Sequence, residues 1–384
     1  MSGPTYLDHA ATAFPKAPGV AAAMARFLEQ EAGNPGRGGH RLSLAAARRI
    51  ESVRAAAARF FGCATERLFF GPGATYWLNA LLTAWLPRGG RVLVSALEHN
   101  AVMRPLRHLE RRRALDVEVL AGGEGGALDP ETVQQGCRAR PTDLVVIAHA
   151  SNVSGLVQPV EEIARRIAPV PLVVDGAQTA GSRPFTFDDS GVAAFVASAH
   201  KGLLGPPGLG LLLLGEDRAL GPFLRGGTGS RSESEDMPDL WPDALEPGTP
   251  NTAGIAGLGA ALDWFEEQGG DEPGRRTREL AADMRTRLAR IPGVRLHGLR
   301  PGDDAVAIVS FTVDGEDNGE LAAWLDREQG LALRAGLHCA PAAHRCLGTF
   351  PAGTLRASPG PLATSADCER LVEALEIRTR EKGR

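Results

Sequence analysis

Strand-sized apolar runs separated by helical stretches are the feature that most limits the folds open to this chain. "RLFFG" (67–71), "RVLVS" (91–95), "LDVEVL" (115–120), "DLVVIAHA" (143–150), "PLVVDGAQ" (171–178) and "AAFVASAH" (193–200) follow one another at helix-length intervals. Most of these runs lack the polar alternation of a strand with one wet face, so both faces need cover. Helical patterns at 42–61, 75–85, from near His99 and at 160–167 supply it. The alternation predicts an α/β fold with a large, mostly parallel sheet under helices on both sides.

At 384 residues the chain exceeds one small core, and a prior of about 100–200 residues per domain suggests more than one. A large domain is expected over 21–265 and a smaller α+β domain over 266–384, where "AVAIVSFTV" (305–313) follows an Arg-rich helix, with residues 1–20 packing near the junction. Residues 221–250 are rich in Gly, Ser, Pro and acids. A structureless connection of that length inside a compact unit is usually functional.

Several classes fall away on composition. A formal net charge of -4 gives no basic face for nucleic acid. The longest apolar run, Leu209–Leu214, is far shorter than the ~20 residues of a membrane span, and the N-terminus shows no secretion pattern. Five irregularly spaced cysteines form no disulfide framework, so a reducing cytoplasm is expected. "GPPGLG" (205–210) is not a dinucleotide fingerprint, because its glycine spacing is wrong and no acidic residue follows at the required distance.

Only three of the 42 basic residues are lysines: Lys16, Lys201 and Lys382. An amine can lose its proton and attack a carbonyl, which a guanidinium cannot. Lys201 follows the strand "AAFVASAH", and Asp175 ends the strand "PLVVD", so both fall where ligands bind in open α/β sheets. Read alone, Asp175 could be a cap and Lys201 a loop charge; together they point to one ligand.

At these positions the chain resembles the pyridoxal-phosphate (PLP) enzymes of the class V aminotransferase group, in particular the cysteine desulfurases and selenocysteine lyases. The likeness lies in "VVDGAQ" (173–178) and "SAHKGLLGPPGLGLLLLG" (198–215), together with "YLDHAAT" (6–12), "GRGGHRLS" (36–43), "LEHNAV" (97–102), "HASNVSG" (149–155), "EPGTPNTAGI" (246–255), "RAGLHCAP" (334–341) and "LRAS" (355–358), all in the family's order. It implies the type I fold of PLP-dependent transferases and a homodimer.

The resemblance also assigns roles. Lys201 would hold the cofactor as a Schiff base and shuttle the Cα proton, and Asp175 would pair with the pyridine nitrogen. His99 would stack on the ring, and Gln178 would donate to its phenolic oxygen. Ala74 and Thr75 at a helix start, with Ser198 and His200, would bind the phosphate, which Thr249 would reach from the partner subunit. Arg356 and Asn152 would bind the substrate carboxylate. His9, Arg37 and His40 match motif positions and are placed only near the site.

Cys339 lies on the segment that, in the related desulfurases, carries the cysteine attacking substrate sulfur, leaving a persulfide and releasing alanine. Arg334 or a protonated His338 could favour its thiolate. Where the family commonly reads His-His-Cys, this chain has Leu337-His338-Cys339, followed by a second thiol at Cys346. Cys346 is expected to be a buried cysteine, with a resolving thiol as the alternative. The spacing of His338, Cys339, His344 and Cys346 matches no zinc pattern, and no metal is expected. The implied activity is conversion of cysteine to alanine, with sulfur going to Cys339 and then to an acceptor that the sequence does not name. A selenocysteine lyase, another C–S lyase or an aminotransferase is the alternative.

Overall fold

The structure is a computed structural model that describes residues 4–36 and 38–382. After β1 (Thr5–Tyr6), seven strands form the large sheet: β2 (Leu68–Gly71), β3 (Arg91–Ser95), β4 (Asp116–Leu120), β5 (Leu144–Ala148), β6 (Leu172–Asp175), β7 (Ala194–Ser198) and β8 (Gly210–Leu214). Their order is β2-β8-β7-β6-β5-β3-β4. Strands β3 to β7 run parallel, as the alternation with helices requires.

Strand β8 is antiparallel to both of its neighbours. The connection from β7, residues 199–209, contains no helix, and a parallel return would need a crossover of about a dozen or more residues. The chain therefore turns straight back, and the sheet is mixed at this edge.

Alternate residues of the central strands enter opposite apolar layers, the two-residue period of a pleated strand. Phe195 and Ala197 join Ile50, Phe61, Ile163 and Leu258 on one face. Ala194 and Val196 join Trp77, Leu81 and Leu106 on the other. Local signals set where the covering helices begin and end. Asp129 caps the helix Pro130–Ala139 by accepting from Glu131 and Thr132 amides, and Gly62 ends Arg41–Phe61 in the left-handed conformation at φ 59°.

The C-terminal part builds a second, four-stranded antiparallel sheet from β9 (Val294–His297), β10 (Val309–Val313), β12 (Arg334–Gly336) and β13 (Thr354–Ala357), in the order β12-β13-β10-β9. Its apolar layer joins Met284, Leu288, Phe311, Leu321 and Leu371 to Leu7 from the N-terminus. Strand β1 pairs in parallel with β11 (Leu331–Ala332). Downstream of β1, Ala13, Ala17 and Val20 pack with Leu204 and Phe265, so the N-terminal segment touches both parts of the chain.

Between Leu214 and Thr252 there is neither helix nor strand. This segment is held by Leu220 and Leu245 in the apolar layer, by Trp241 edge-on to Phe69 at 5.3 Å, and by the Arg54–Glu246 ion pair at 2.7 Å. Among the described residues no helix is long and apolar enough to cross a membrane.

Candidate active site

Parallel strands place their carboxyl ends along one edge, so β5, β6 and β7 deliver Ala148, Asp175 and Ser198 to the same side of the large sheet. A cavity of about 250 Å³ opens there. It is lined by Ala74, Thr75, His99, Asn152, Asp175, Gln178, Ser198, His200 and Lys201 from the large sheet and its loops, by Ala10 and Ala11 from the N-terminal segment, and by Arg334, His338, Cys339 and Arg356 from the C-terminal part.

Burial lowers the Lys201 pKa, opposed by the Asp175 carboxylate and reinforced by Arg356 and Arg334. A larger fraction of the amine is thus neutral and nucleophilic. Asp175 is 6% exposed and its Oδ1 accepts from the Ala177 amide at 3.0 Å. Gln178 Nε2 donates to Ala10 O at 3.1 Å.

His99 is both a helix cap and a cavity residue. Its Nδ1 accepts the Ala101 amide at 3.0 Å, which puts the proton of the neutral ring on Nε2. Burial lowers its pKa, with the Asp175 carboxylate opposing.

The helix Ala74–Trp85 starts after Gly73 without a side-chain cap, so its first amides are open to an anion. Gly210 permits this turn: a Cβ there would lie 2.5 Å from Gly73 backbone carbons. Behind the cavity, His200 Nδ1 lies 3.1 Å from Thr12 Oγ1, to which Lys16 Nζ also donates at 3.3 Å. Burial, with Lys201 and Lys16 adding, holds His200 near 4.

Arg356 sits on β13 at 2% exposure, with Nη2 donating to Asp8 Oδ1 and Nη1 to Asn152 O, each at 2.8 Å. Its buried Nε has no partner among the described residues.

Cys339 occupies a turn that glycine would adopt more readily. His338 and Cys339 have φ of 49° and 57°, a left-handed conformation that costs a non-glycine residue roughly 1–2 kcal/mol. The turn is held from outside, by Asn152 Nδ2 donating to His338 O at 2.7 Å and the Asn100 amide donating to Cys339 O at 2.8 Å.

Two expectations change here. His338 is buried beside Thr354, and burial drives its pKa to about 2, so it stays neutral and brings no charge to the thiol. Cys346 is exposed rather than buried, because it closes the short helix Pro341–Cys346 on its outer side, and it does not line the cavity.

Some motif residues stand apart from the cavity. Thr249 is exposed and lines a neighbouring pocket with Gly71, Pro72 and Tyr76. His40 caps the helix Arg41–Phe61 by accepting the Ser43 amide. His9 is buried next to Ala10 with both ring nitrogens unpaired among the described residues. Arg37 lies outside the described residues.

Sequence reasoning missed Asp8 and Glu98. The fully buried Glu98 accepts from Ser95 Oγ at 2.5 Å and from the Ala148 amide at 2.8 Å, and burial raises its pKa to about 8. Its place between a strand end and His99 was the available signal.

The model of the aminotransferase class-V family matches residues 5–371. A probable cysteine desulfurase of Xylella fastidiosa is 34% identical over 380 residues, covering 96% of this chain and 89% of the relative. A cysteine desulfurase of Haloferax volcanii is 32% identical over 384 residues, covering 97% and 88%. The apo structure of the cysteine desulfurase from Thermococcus onnurineus NA1 superposes with a TM-score of 0.90 at 27% identity, covering 98% of this chain and 95% of that one. A fold shared from end to end, with the family match spanning both sheets and every segment that lines the cavity, shows that this chain belongs to the class V aminotransferase family.

Proposed function

We propose that the protein is a PLP-dependent cysteine desulfurase that converts cysteine to alanine and takes the sulfur onto Cys339. The observation that carries this reading is the single cavity in which an amine (Lys201), a carboxylate (Asp175), an imidazole (His99), a guanidinium (Arg356) and a thiol (Cys339) meet from separate segments of chain. The family implies PLP, and the residues present fit it. Lys201 offers an amine of lowered pKa for its aldehyde, Asp175 a carboxylate for its ring nitrogen, and the uncapped helix start at Ala74 and Thr75, with Ser198 and His200, donors for its phosphate. His99 and Gln178 complete the set at the ring. When bound, PLP supplies an electron sink for bond cleavage at the amino acid.

The chain's own residues do the rest. Arg356 binds the substrate carboxylate as a planar fork, with Asn152 beside it. Lys201 takes the proton from Cα, since its buried amine is available as a base. The Cys339 sulfur, as the thiolate, attacks the substrate sulfur. The carbon–sulfur bond breaks with its electron pair left on the carbon side, Cβ takes up a proton and Lys201 returns one to Cα, so cysteine and a thiol become alanine and a persulfide. A thiol reductant then releases sulfide from Cys339, or an acceptor protein takes the sulfur.

The same reading carries a homodimer in which Thr249 reaches the partner's phosphate site, a division into domains at 21–265 and 266–384, and a cytoplasmic location. Incubation with cysteine and dithiothreitol is expected to yield equal alanine and sulfide, and Cys339→Ala to lose both while keeping the cofactor's absorbance. Borohydride should trap pyridoxyl on Lys201. Alanine formation by Cys339→Ala at the parent rate would refute the persulfide role, and a borohydride digest with no pyridoxyl peptide at Lys201 would refute the whole reading.

A further inference from the structure

Two left-handed residues in succession, neither of them glycine, form the turn that presents the Cys339 thiol. Such a conformation persists only where the surroundings over-determine it. Three hydrogen bonds involving its backbone do so here, beside the contact of the His338 ring with Thr354 Oγ1 at 3.1 Å. The Ala340 amide donates to Leu337 O at 2.8 Å inside the turn, the Asn100 amide reaches Cys339 O at 2.8 Å, and Asn152 Nδ2 reaches His338 O at 2.7 Å. Of these donors only Asn152 is a side chain, and it comes from the loop after β5, far from the turn in sequence.

Asn152 is also tied to the guanidinium expected to bind substrate. Its backbone oxygen accepts from Arg356 Nη1 at 2.8 Å, while its Oδ1 is buried and unpaired among the described residues. A primary amide has two N–H groups, so one can hold the His338 carbonyl while the other is free for a carboxylate. A continuous path therefore runs from Arg356 through Asn152 to the peptide that carries the thiol.

We propose that Asn152 is a positioning residue that clamps the His338–Cys339 turn, setting where the thiol stands before substrate arrives. Holding a nucleophile near its attack geometry replaces a costly search, and a displacement of the order of 1 Å is enough to slow such a step about a hundredfold. The link to sulfur attack rests on the desulfurase reading; the clamp itself does not. A residue that only bound the substrate carboxylate would leave the empty site unchanged.

The test is the rate at which iodoacetamide alkylates Cys339 in the cofactor-loaded protein without substrate, followed by peptide mass spectrometry, for the parent, Asn152→Ala and Asn152→Asp. The aspartate keeps the shape and loses the N–H donors. Both variants are expected to alkylate at Cys339 at least threefold faster, while Cys346, outside the clamp, reacts at the parent rate and the cofactor's absorbance is retained. With cysteine, kcat for alanine formation is expected to fall at least tenfold in both. An unchanged or slower alkylation of Cys339 in Asn152→Asp would overturn the clamp and leave Asn152 as a carboxylate ligand alone. Because alkylation needs no turnover, failure of the desulfurase reading would show separately, as continued activity in Cys339→Ala.

Discussion

The guanidinium of Arg356 is oriented by the carboxylate of Asp8, Nη2 to Oδ1 at 2.8 Å, although 348 positions separate them in the chain. The parallel pairing of β1 with β11 and the bridge from Asp8 to Ser358 bring the N-terminal segment against β13. These contacts use one N–H of Nη2 on Asp8 and one of Nη1 on Asn152, leaving the Nε–H, unpaired among the described residues, and one N–H on each Nη for an incoming carboxylate.

Arg356→Lys keeps the charge but cannot span these partners. The loss of a charge-assisted hydrogen bond of roughly 1.5–3 kcal/mol corresponds to a rise of about ten- to a hundredfold in KM for cysteine. Steady-state kinetics check this, and an unchanged KM would remove Arg356 from carboxylate binding.

Glu98 offers a test of charge state. Burial raises its pKa to about 8, so the folded protein keeps a proton that the unfolded chain releases above about 4.5. Stability from this group is therefore full at low pH and lost as pH rises towards 8. Glu98→Gln, neutral at every pH, should match the parent near pH 5 and exceed it in urea unfolding at pH 8.5. A variant less stable at both values would mean that the carboxylate is charged and needed.

The buried histidines act in the opposite direction. Burial holds His149 near 3, where it meets Thr179 Oγ1 at 3.0 Å, and His338 near 2. Each stays neutral when folded while the unfolded chain takes up a proton below about 6.5, so stability is complete above that pH and falls as pH drops through 6 and 5. The slope is about 1.4 kcal/mol per pH unit for each imidazole. Denaturant midpoints of the apo protein should decline from pH 6.5 to 5, and His149→Asn should flatten the decline. A midpoint that is level across this range would count against buried neutral rings.

The long segment before Thr252 depends on Arg54 and Glu246. Arg54 Nη1 also donates to Leu68 O, and Glu246 Oε1 accepts the Phe70 amide, each at 2.7 Å, so the pair pins the segment to β2. Removing one partner of a buried pair costs about 3–5 kcal/mol. Arg54→Ala should lose near that amount and admit protease cleavage between 226 and 245. Glu246→Gln, whose Oε1 can still accept Arg54 Nη1 and the Phe70 amide but which loses the bond from Arg54 Nη2 at 3.0 Å, should lose less. Equal losses in the two variants would sink the argument.

Much of the architecture could be read in advance because its causes are local. Runs such as "LVVD" and "AFVAS" are buried on both faces and must be central strands, and their ends had to fall on one edge once the crossovers were helical. Asp175, Lys201 and Ser198 were placed at the cavity for that reason. The state of Cys346 was misjudged because a six-residue helix at the surface has no period long enough to show which side is wet. His338 was expected to be a possible cation, but its burial beside Thr354 depends on β13 packing against β12, a pairing between distant segments.

What the order of residues determined by itself was a sheet flanked by helices, the direction of its central strands, and an amine and a carboxylate at their ends, since hydrophobic period and chain connectivity act over a few residues at a time. What only the folded chain decided was the neutrality of His338, the left-handed turn under the thiol, and the grip of Asp8 and Asn152 on Arg356 and on that turn. These depend on desolvation and on hydrogen bonds between segments far apart in sequence, and neither exists until the two sheets and the N-terminal strand have closed around one cavity.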